Sequence, residues 1–348
     1  MDRLVNERSI SLGYSLDAST YGTYTSALNS YLTFCNIHHL PVDPTPDTLS
    51  FFIVFLSSHI NPKSVNSYLS GVCRQLEPFF PDVRPNRKTM LVTRTMAGCL
   101  RRFGTPVKRK APLSRSNLDL VVNHISLTPS HDNFLFLAQL LTGFHGLLRL
   151  GELVFPDKII LRNYRKISLR HTVLLCHDQF SFFLPSHKSD RTFEGNKIII
   201  QKLPATSDPY NHFVTYLTSR DTLFPLNPEL WLTSHGTVPT RHWFMAKLRS
   251  FLPPTFSGHS MRAGGATSLA ETGANLSTIQ AVGRWNSDAF QAYIRKTRLS
   301  FMRSFLDVPH INLLLDLYHL QFLEPFHRYA LLFLSLLLSF SSFCFFFI

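Results

Sequence analysis

Apolar residues recur at three- and four-residue intervals through most of the first hundred positions, the period of a helix with one buried face. In YGTYTSALNSYLTFC that face is Tyr24, Leu28, Tyr31 and Leu32, and Ser19 or Thr20 is the expected cap. The polar, proline-rich NIHHLPVDPTPD follows, then DTLSFFIVFLSSHI, a second helix opened by Asp47 and stopped before Pro62. A third, KSVNSYLSGVCRQL, sets Val65, Tyr68, Leu69 and Val72 on one side. Short helices with brief connections predict a small helical bundle.

Beyond it, SRSNLDLVVNHI and HDNFLFLAQLLTGFHGLLRLGELV read as two more helices. The second is apolar almost up to Arg149, so it is expected to be buried and to deliver polar groups at its C-terminal end. Arg149 and Glu152, three apart, share a face. The pattern then changes. KISLRHTVLLC, QFSFFLPS and NKIIIQKL are short, rich in β-branched and aromatic residues and bounded by polar turns, which predicts three antiparallel strands. Lys188 falls in the second connection. Helical periodicity returns in NHFVTYLTSRDTLF and RHWFMAKLRSFL, so the fold class is mainly α with a small antiparallel β-sheet.

Charge narrows the partner. The chain has 348 residues, enough for two domains, and a formal net charge of +13 from 35 Lys and Arg against 22 Asp and Glu. Such an excess favours a polyanion, either nucleic acid or an anionic membrane surface. It is concentrated at 84–110, where Arg84, Arg87, Lys88, Arg94, Arg101, Arg102, Lys108, Arg109 and Lys110 occur without one acidic residue. Met90, Leu91, Met96 and Leu100 suggest a helix there, its other face free to bind phosphates. KRKAPLS reads as an interdomain linker.

The five cysteines are scattered and never form C-x-x-C, which points to neither a disulfide framework nor a zinc site. The N-terminus lacks the apolar run of a secretory signal, so an intracellular location is expected. At the other end, ALLFLSLLLSFSSFCFFFI, residues 330–348, is 19 residues without a charge and qualifies by length as a membrane-spanning helix. A membrane anchor, a helix docked on a partner and an end foreign to the natural chain all stay open for it.

The candidate chemistry lies at 257–295, SGHSMRAGGATSLAETGANLSTIQAVGRWNSDAFQAYIR. His259 and Arg262, three apart at a helix start, can aim at one point where the helix terminus itself favours an anion. Gly264 and Gly265 permit close approach of another element. Gly273 reads as a helix stop, Ser277 as the next cap, and Asn286 or Ser287 as the cap of a third helix bearing Tyr293. Phosphodiester transfer without a metal needs cations on the non-bridging oxygens, a nucleophile, and an acid for the leaving 5′ oxygen. Arginine suits the first role through its planar fork and permanent charge. Tyrosine activated by that field can attack, and a phosphotyrosine then conserves the bond energy for resealing.

The order Arg149, Lys188, His259-x-x-Arg262, Trp285, Tyr293 resembles the tyrosine recombinases, or phage integrases. RLGEL at 149–153, HSMRAGGAT and GRW before a Tyr are similar in particular to recombinases of crypton-type DNA transposons. The resemblance spans about 20–307. It implies a helical, SAM-like core-binding domain at 20–110 and a tyrosine recombinase catalytic domain at 111–307, between an N-terminal extension at 1–19 and a hydrophobic tail at 308–348. It also implies that Arg149 and Arg262 clamp the scissile phosphate, that His259 and the Trp285 indole donate to it, and that Lys188 protonates the leaving hydroxyl. Tyr293 would then form the 3′ link and Glu152 would support Arg149. Further implications are a duplex DNA partner, action as a dimer or tetramer, a nuclear location, and no metal or cofactor. The chain departs from the family's better-known bacterial members in the Trp285 to Tyr293 interval, eight residues and one shorter than theirs, and in ending on an apolar tail. The alternatives are a DNA-binding descendant without catalysis and a tail-anchored membrane protein with a basic domain.

Overall fold

A computed structural model of the chain describes residues 1–13, 15–106, 108–186, 194–287, 290–291 and 293–294. Lys188 and the tail at 308–348, with its apolar run at 330–348, lie outside the described residues. The chain divides into two compact units: Met1–Lys110 with Val154–Arg165 and Pro239–Trp243, and the remainder.

The first unit is helical. α1 (Asp2–Gly13) buries none of its residues, so the N-terminal extension is an exposed helix. α2 (Ala18–Ile37) is capped by Asp17, two residues ahead of the expected Ser19, because its carboxylate reaches the Ser19 amide at 3.0 Å. α3 (Pro46–His59) is capped by Thr45, with Asp47 merely in its first turn. α4 (Pro62–Leu76) follows the Asn61 cap, and α5 (Val83–Lys88) and α6 (Met90–Phe103) complete the set. Tyr31, Phe34, Leu49, Phe52, Ile53, Val65, Leu69, Val72 and Val92 form the core. The stripe of α2 is rotated from the expected one: Ala27, Tyr31, Phe34 and Cys35 are buried while Leu32 is exposed. In α6 the buried face is Val92, Met96 and Cys99, whereas Met90 and Leu91 are exposed. The i, i+3, i+4 rule was satisfied by more than one stripe in both helices, and packing on α3 and α4 selected between them.

The second unit begins at Ala111. Its first residues do not behave as a free linker: the Ala111 amide donates to Thr255 O at 3.1 Å, the Leu113 amide to Ser260 O at 3.0 Å, and Leu113 is buried. α7 (Arg115–Leu127) starts with a reciprocal Ser114–Asn117 capping box, and α8 (His131–His145) is buried along nearly its whole length. α8 stops at His145, short of Arg149, because Gly146 caps it and Leu147 takes a left-handed φ of 48°. The sheet is an antiparallel meander of β1 (Leu174–Leu175), β2 (Gln179–Leu184) and β3 (Asn196–Gln201). Phe180 pairs with Ile200 and Phe182 with Ile198, which puts their side chains on the inner face. The first strand is shorter than expected because Arg170–Thr172 forms a 3-10 turn, in which Arg170 forks onto Asp221 at 2.7–3.0 Å. α9 (Pro209–Leu223) covers the sheet through Phe213, stacked on Phe180 at 3.9 Å, and through Tyr216 against Trp231. α10 (Arg241–Phe251), α11 (Gly258–Glu271) and α12 (Leu276–Gly283) follow. The cap of α12 is Asn275, whose side chain takes the Thr278 amide at 2.7 Å, and not Ser277. Among the described residues no helix is long and apolar enough to cross a membrane.

Candidate functional site: an arginine cluster beside Tyr293

The break after α8 creates the site. Gly146 returns its amide to Thr142 O at 2.8 Å, Leu147 turns left-handed, and the chain re-enters as an extended Arg149 that opens a 3-10 turn, Leu150–Glu152. Glu152 folds back on it. Its Oε2 accepts the Arg149 amide at 2.9 Å and its Oε1 accepts Arg149 Nη1 at 2.9 Å, so carboxylate and guanidinium hold each other in register. The Glu152 side chain is only 5% exposed, while that of Arg149 is 25% exposed. Among the described residues Nε and Nη2 of Arg149 have no protein partner, which leaves them open to an incoming anion.

α11 brings the second arginine. Ser257 and Ser260 close its N-terminus with a capping box, and the helix lies close on the α8 end because Gly264 and Gly265 have no side chains. A Cβ at Gly265 would sit 2.5 Å from Leu147 Cδ2, and one at Gly264 would sit 2.8 Å from Leu113 N. Arg262, 1% exposed, reaches from this helix to the Leu147 carbonyl through Nη1 and to the Gly283 carbonyl through Nη2. Burial pushes it down to about 9, with the Arg149 charge adding to the shift and Glu152 opposing it. It therefore keeps its charge at neutral pH, in surroundings that an added anion would relieve. His259, in the first turn of the same helix, is exposed.

α12 supplies the rest. It ends at Gly283, where a side chain would collide with the Trp285 ring, and Arg284 then takes a left-handed conformation (φ 55°, ψ 47°). This turn lays Trp285 over Arg262, 4.0 Å from guanidinium carbon to ring centroid, and the Tyr293 ring follows at 5.8 Å from the same carbon. The Trp285 and Tyr293 rings are 5.3 Å apart at 50°, and both pack with Phe290 and Ile279 around Ala266 and Leu147. Tyr293 is half-buried. Its amide donates to Phe290 O at 2.8 Å and its carbonyl accepts Thr267 Oγ1 at 3.3 Å. The expected third helix is replaced, over the described residues around 290, by a 3-10 turn with that same three-residue spacing.

The structure thus gathers Arg149, Glu152, Arg262, Trp285 and Tyr293 into one contact chain. It adds Arg284, which the sequence reading passed over. Arg284 Nη2 lies 3.3 Å from Glu152 Oε2, and the side chain is 10% exposed. Two guanidiniums, Arg149 and Arg284, pair with the one carboxylate, and Arg262 feels the charge of all three groups, so the described cluster carries a surplus of two positive charges. The Nε atoms of Arg262 and Arg284 are buried without a hydrogen-bond partner among the described residues. The only trace of Arg284 in the sequence was its position between a helix-stopping glycine and a tryptophan.

Among the nine cations at 84–110, Arg84 and Arg87 make polar side-chain contacts within the first unit, and Arg102 lies over the Phe103 ring at 4.7 Å. Arg84 forks onto Glu77 at 2.6 and 2.7 Å, finding a carboxylate outside its own basic stretch, and Arg87 donates to Ser70 Oγ at 3.0 Å. Lys88, Arg94, Arg101, Arg102, Lys108, Arg109 and Lys110 are exposed, with Arg94 and Arg101 two helical turns apart on α6.

This architecture is the tyrosine recombinase fold, a mainly helical chain with a small three-stranded sheet. The solved structure of the XerH site-specific recombinase, bound to a palindromic difH substrate in a post-cleavage complex, has a TM-score of 0.52 to this chain. The match is 12% identical and covers 82% of this chain and 78% of that one. A lambda integrase (75–356) dimer bound to a COC′ core site is 15% identical over 85% of this chain and 94% of that one, with a TM-score of 0.49. The Tn1549 transposon integrase with transposon right end DNA is 16% identical over 75% and 84%, with a TM-score of 0.47. No protein-family model matches the chain, and no curated protein matches it.

Proposed function

We propose that this chain is a site-specific DNA recombinase or integrase, derived from a mobile element, that breaks and rejoins duplex DNA through a 3′-phosphotyrosyl intermediate. The observation that carries the reading is the surplus of buried guanidinium charge packed against Tyr293: Arg262 lies 4.0 Å from the Trp285 ring and 5.8 Å from the Tyr293 ring. A purely structural cluster would balance its charge. This one pairs two guanidiniums with one carboxylate and adds the Arg262 charge beside them, which suits a phosphodiester and the extra negative charge that builds up as it is attacked.

In this reading Arg149 and Arg262 grip the non-bridging oxygens, and His259 and the Trp285 indole N–H add hydrogen bonds to them. The Tyr293 phenol oxygen attacks phosphorus. The bond to the 5′ oxygen breaks, and Lys188 delivers a proton to that leaving oxygen while the phenol proton passes to the surroundings. Glu152 keeps Arg149 oriented. Reversal by a 5′ hydroxyl reseals the strand and returns free tyrosine. The likeness to XerH concerns the fold, and XerH itself is described with DNA in a post-cleavage complex. The helical region at 20–110 is assigned to DNA binding through the exposed cations of α6 and 104–110, and 111–307 to catalysis. Strand exchange calls for two or four protomers on DNA, and the location proposed for this chain is the nucleus.

The test is covalent trapping. Purified protein is incubated with a library of nicked duplexes carrying a randomised core, and protein-linked DNA is recovered after denaturation. Wild type should yield an adduct that protease releases, and Tyr293→Phe should yield none. A salt-sensitive gel shift from wild type without adduct would replace the proposal with a DNA-binding protein that has lost catalysis. An undiminished adduct from Tyr293→Phe would remove Tyr293 from the role.

A further inference from the structure

We infer that Arg284 is a positioning residue for the phosphate clamp: acting through Glu152, it fixes Arg149 relative to the segment that carries Trp285 and Tyr293. The inference rests on the recombinase reading above and adds to it a residue with no assigned role.

Arg284 stands where three pieces of the site meet. Its Nη2 faces Glu152 Oε2 at 3.3 Å and the Leu147 carbonyl at 3.4 Å. Its Nη1 faces the Gly146 carbonyl at 3.4 Å and the Val282 carbonyl at 3.2 Å. One planar group therefore links the left-handed break after α8, the Arg149–Glu152 turn and the end of α12. A lysine could restore the charge at Glu152 but not the full set of contacts, because a compact ammonium lacks the width of the fork. The Leu147 carbonyl is also the acceptor of Arg262 Nη1, so the two guanidiniums share an anchor and cannot move independently.

The link matters for chemistry because of how Glu152 is divided. Its Oε1 serves Arg149 Nη1, and its Oε2 serves both the Arg149 amide and Arg284. With Arg284 present the carboxylate is held from two sides, and Arg149 needs only one side-chain nitrogen to complete the arrangement. Without Arg284, Oε2 keeps only the Arg149 amide, Arg149 becomes the one guanidinium paired with the carboxylate, and the surplus of the cluster, Arg262 included, falls from two positive charges to one. The turn after α12 also loses its tie to Glu152, and the next residue is Trp285. The contacts of Arg284 are long, 3.2–3.4 Å, the looseness expected before a ligand draws the site together.

A residue that merely supported the fold would, when removed, weaken DNA binding and cleavage together or lower stability alone. A positioning residue separates them. The experiment measures single-turnover adduct formation and equilibrium DNA affinity on one nicked duplex recovered from the randomised pool. For Arg284→Gln we expect the cleavage rate to fall by about 100-fold, as for a displacement of roughly 1 Å in a reacting group. Affinity should change less than about threefold, since most of it comes from contacts to the backbone. Arg284→Lys should recover part of the rate by restoring charge at Glu152. In a double-mutant cycle, Glu152→Gln with Arg284→Gln should be no slower than the slower single variant, because both break one linkage.

Equal losses in rate and affinity, no recovery with Lys, or rate losses that multiply in the double variant would each overturn the inference and leave the recombinase reading standing. Wild-type adduct with an undiminished Arg284→Gln rate would do the same. Failure of wild type to form any adduct would overturn both together.

Discussion

Replacing Gly265 with Ala tests whether the close approach of α11 to the end of α8 builds the site. The same substitution at Gly98 supplies the reference. Gly98 lies exposed in α6, and a Cβ there would have nothing within 4 Å, so Gly98→Ala should show only the backbone gain, about 0.5–1 kcal/mol of added stability. At Gly265 the same gain competes with a collision. The new methyl would press on the Phe144 carbonyl oxygen, 3.0 Å from its carbon and 2.5 Å from Leu147 Cδ2. The Phe144 contacts are main chain and cannot rotate away, which puts the cost near the top of the usual overpacking range, about 3 kcal/mol. Subtracting the gain leaves a loss of about 2 kcal/mol, and the two glycine-to-alanine changes should differ in sign. Urea unfolding followed by the far-ultraviolet helical signal reads both values. Arg262, one turn before Gly265, bonds the Leu147 carbonyl and must shift with the helix, so adduct formation should fall in Gly265→Ala by about 100-fold. If Gly265→Ala were as stable as wild type or stabilised like Gly98→Ala, the packing account of the site would be wrong.

Two further outcomes are expected. His145, whose Nε2 is buried without a partner among the described residues, is pushed down to about 4 chiefly by burial, with Arg115 adding and Asp208 opposing. The folded state then resists a proton that the unfolded chain accepts below its ordinary value near 6.5. Stability from this group is complete above about pH 6.5 and declines as pH falls toward 4, by at most about 3 kcal/mol. His145→Gln should flatten that part of the stability curve, measured by urea unfolding between pH 4 and pH 7, and an unchanged slope would contradict the burial effect. Among the exposed cations of α6, each of Arg94→Gln, Arg101→Gln and Arg102→Gln should reduce the slope of log affinity against log salt by about 1 for duplex DNA of any sequence. A slope unchanged in all three would take α6 off the DNA.

Much was legible in the sequence because it depends on local order. Helical periodicity located all the bundle helices from α2 to α4, the short runs of β-branched and aromatic residues located the sheet, and the spacing of Arg149 to Glu152 placed their pair on one side of a turn, where it forms at 2.9 Å. Caps were less secure. Asp17 and Asn275 displaced Ser19 and Ser277 because neighbouring polar residues can each accept the same orphan amides, and only backbone geometry chooses among them. The buried stripe of α6 depended on which partners it met, so Val92 and Cys99 took the place of Met90 and Leu91.

What the sequence by itself determined was the class of fold and the residue types present: a helical chain with a short meander, and arginines, a histidine, a tryptophan and a tyrosine in a particular order. Tertiary structure decided which of these touch. It ended α8 at His145 and set Leu147 left-handed, so that one carbonyl anchors both Arg262 and Arg284. It also placed Arg284 on Glu152 across 132 positions of chain. No pattern of intervals contains such a contact, because burial of charge and the sharing of a carboxylate are set by the packing of distant segments.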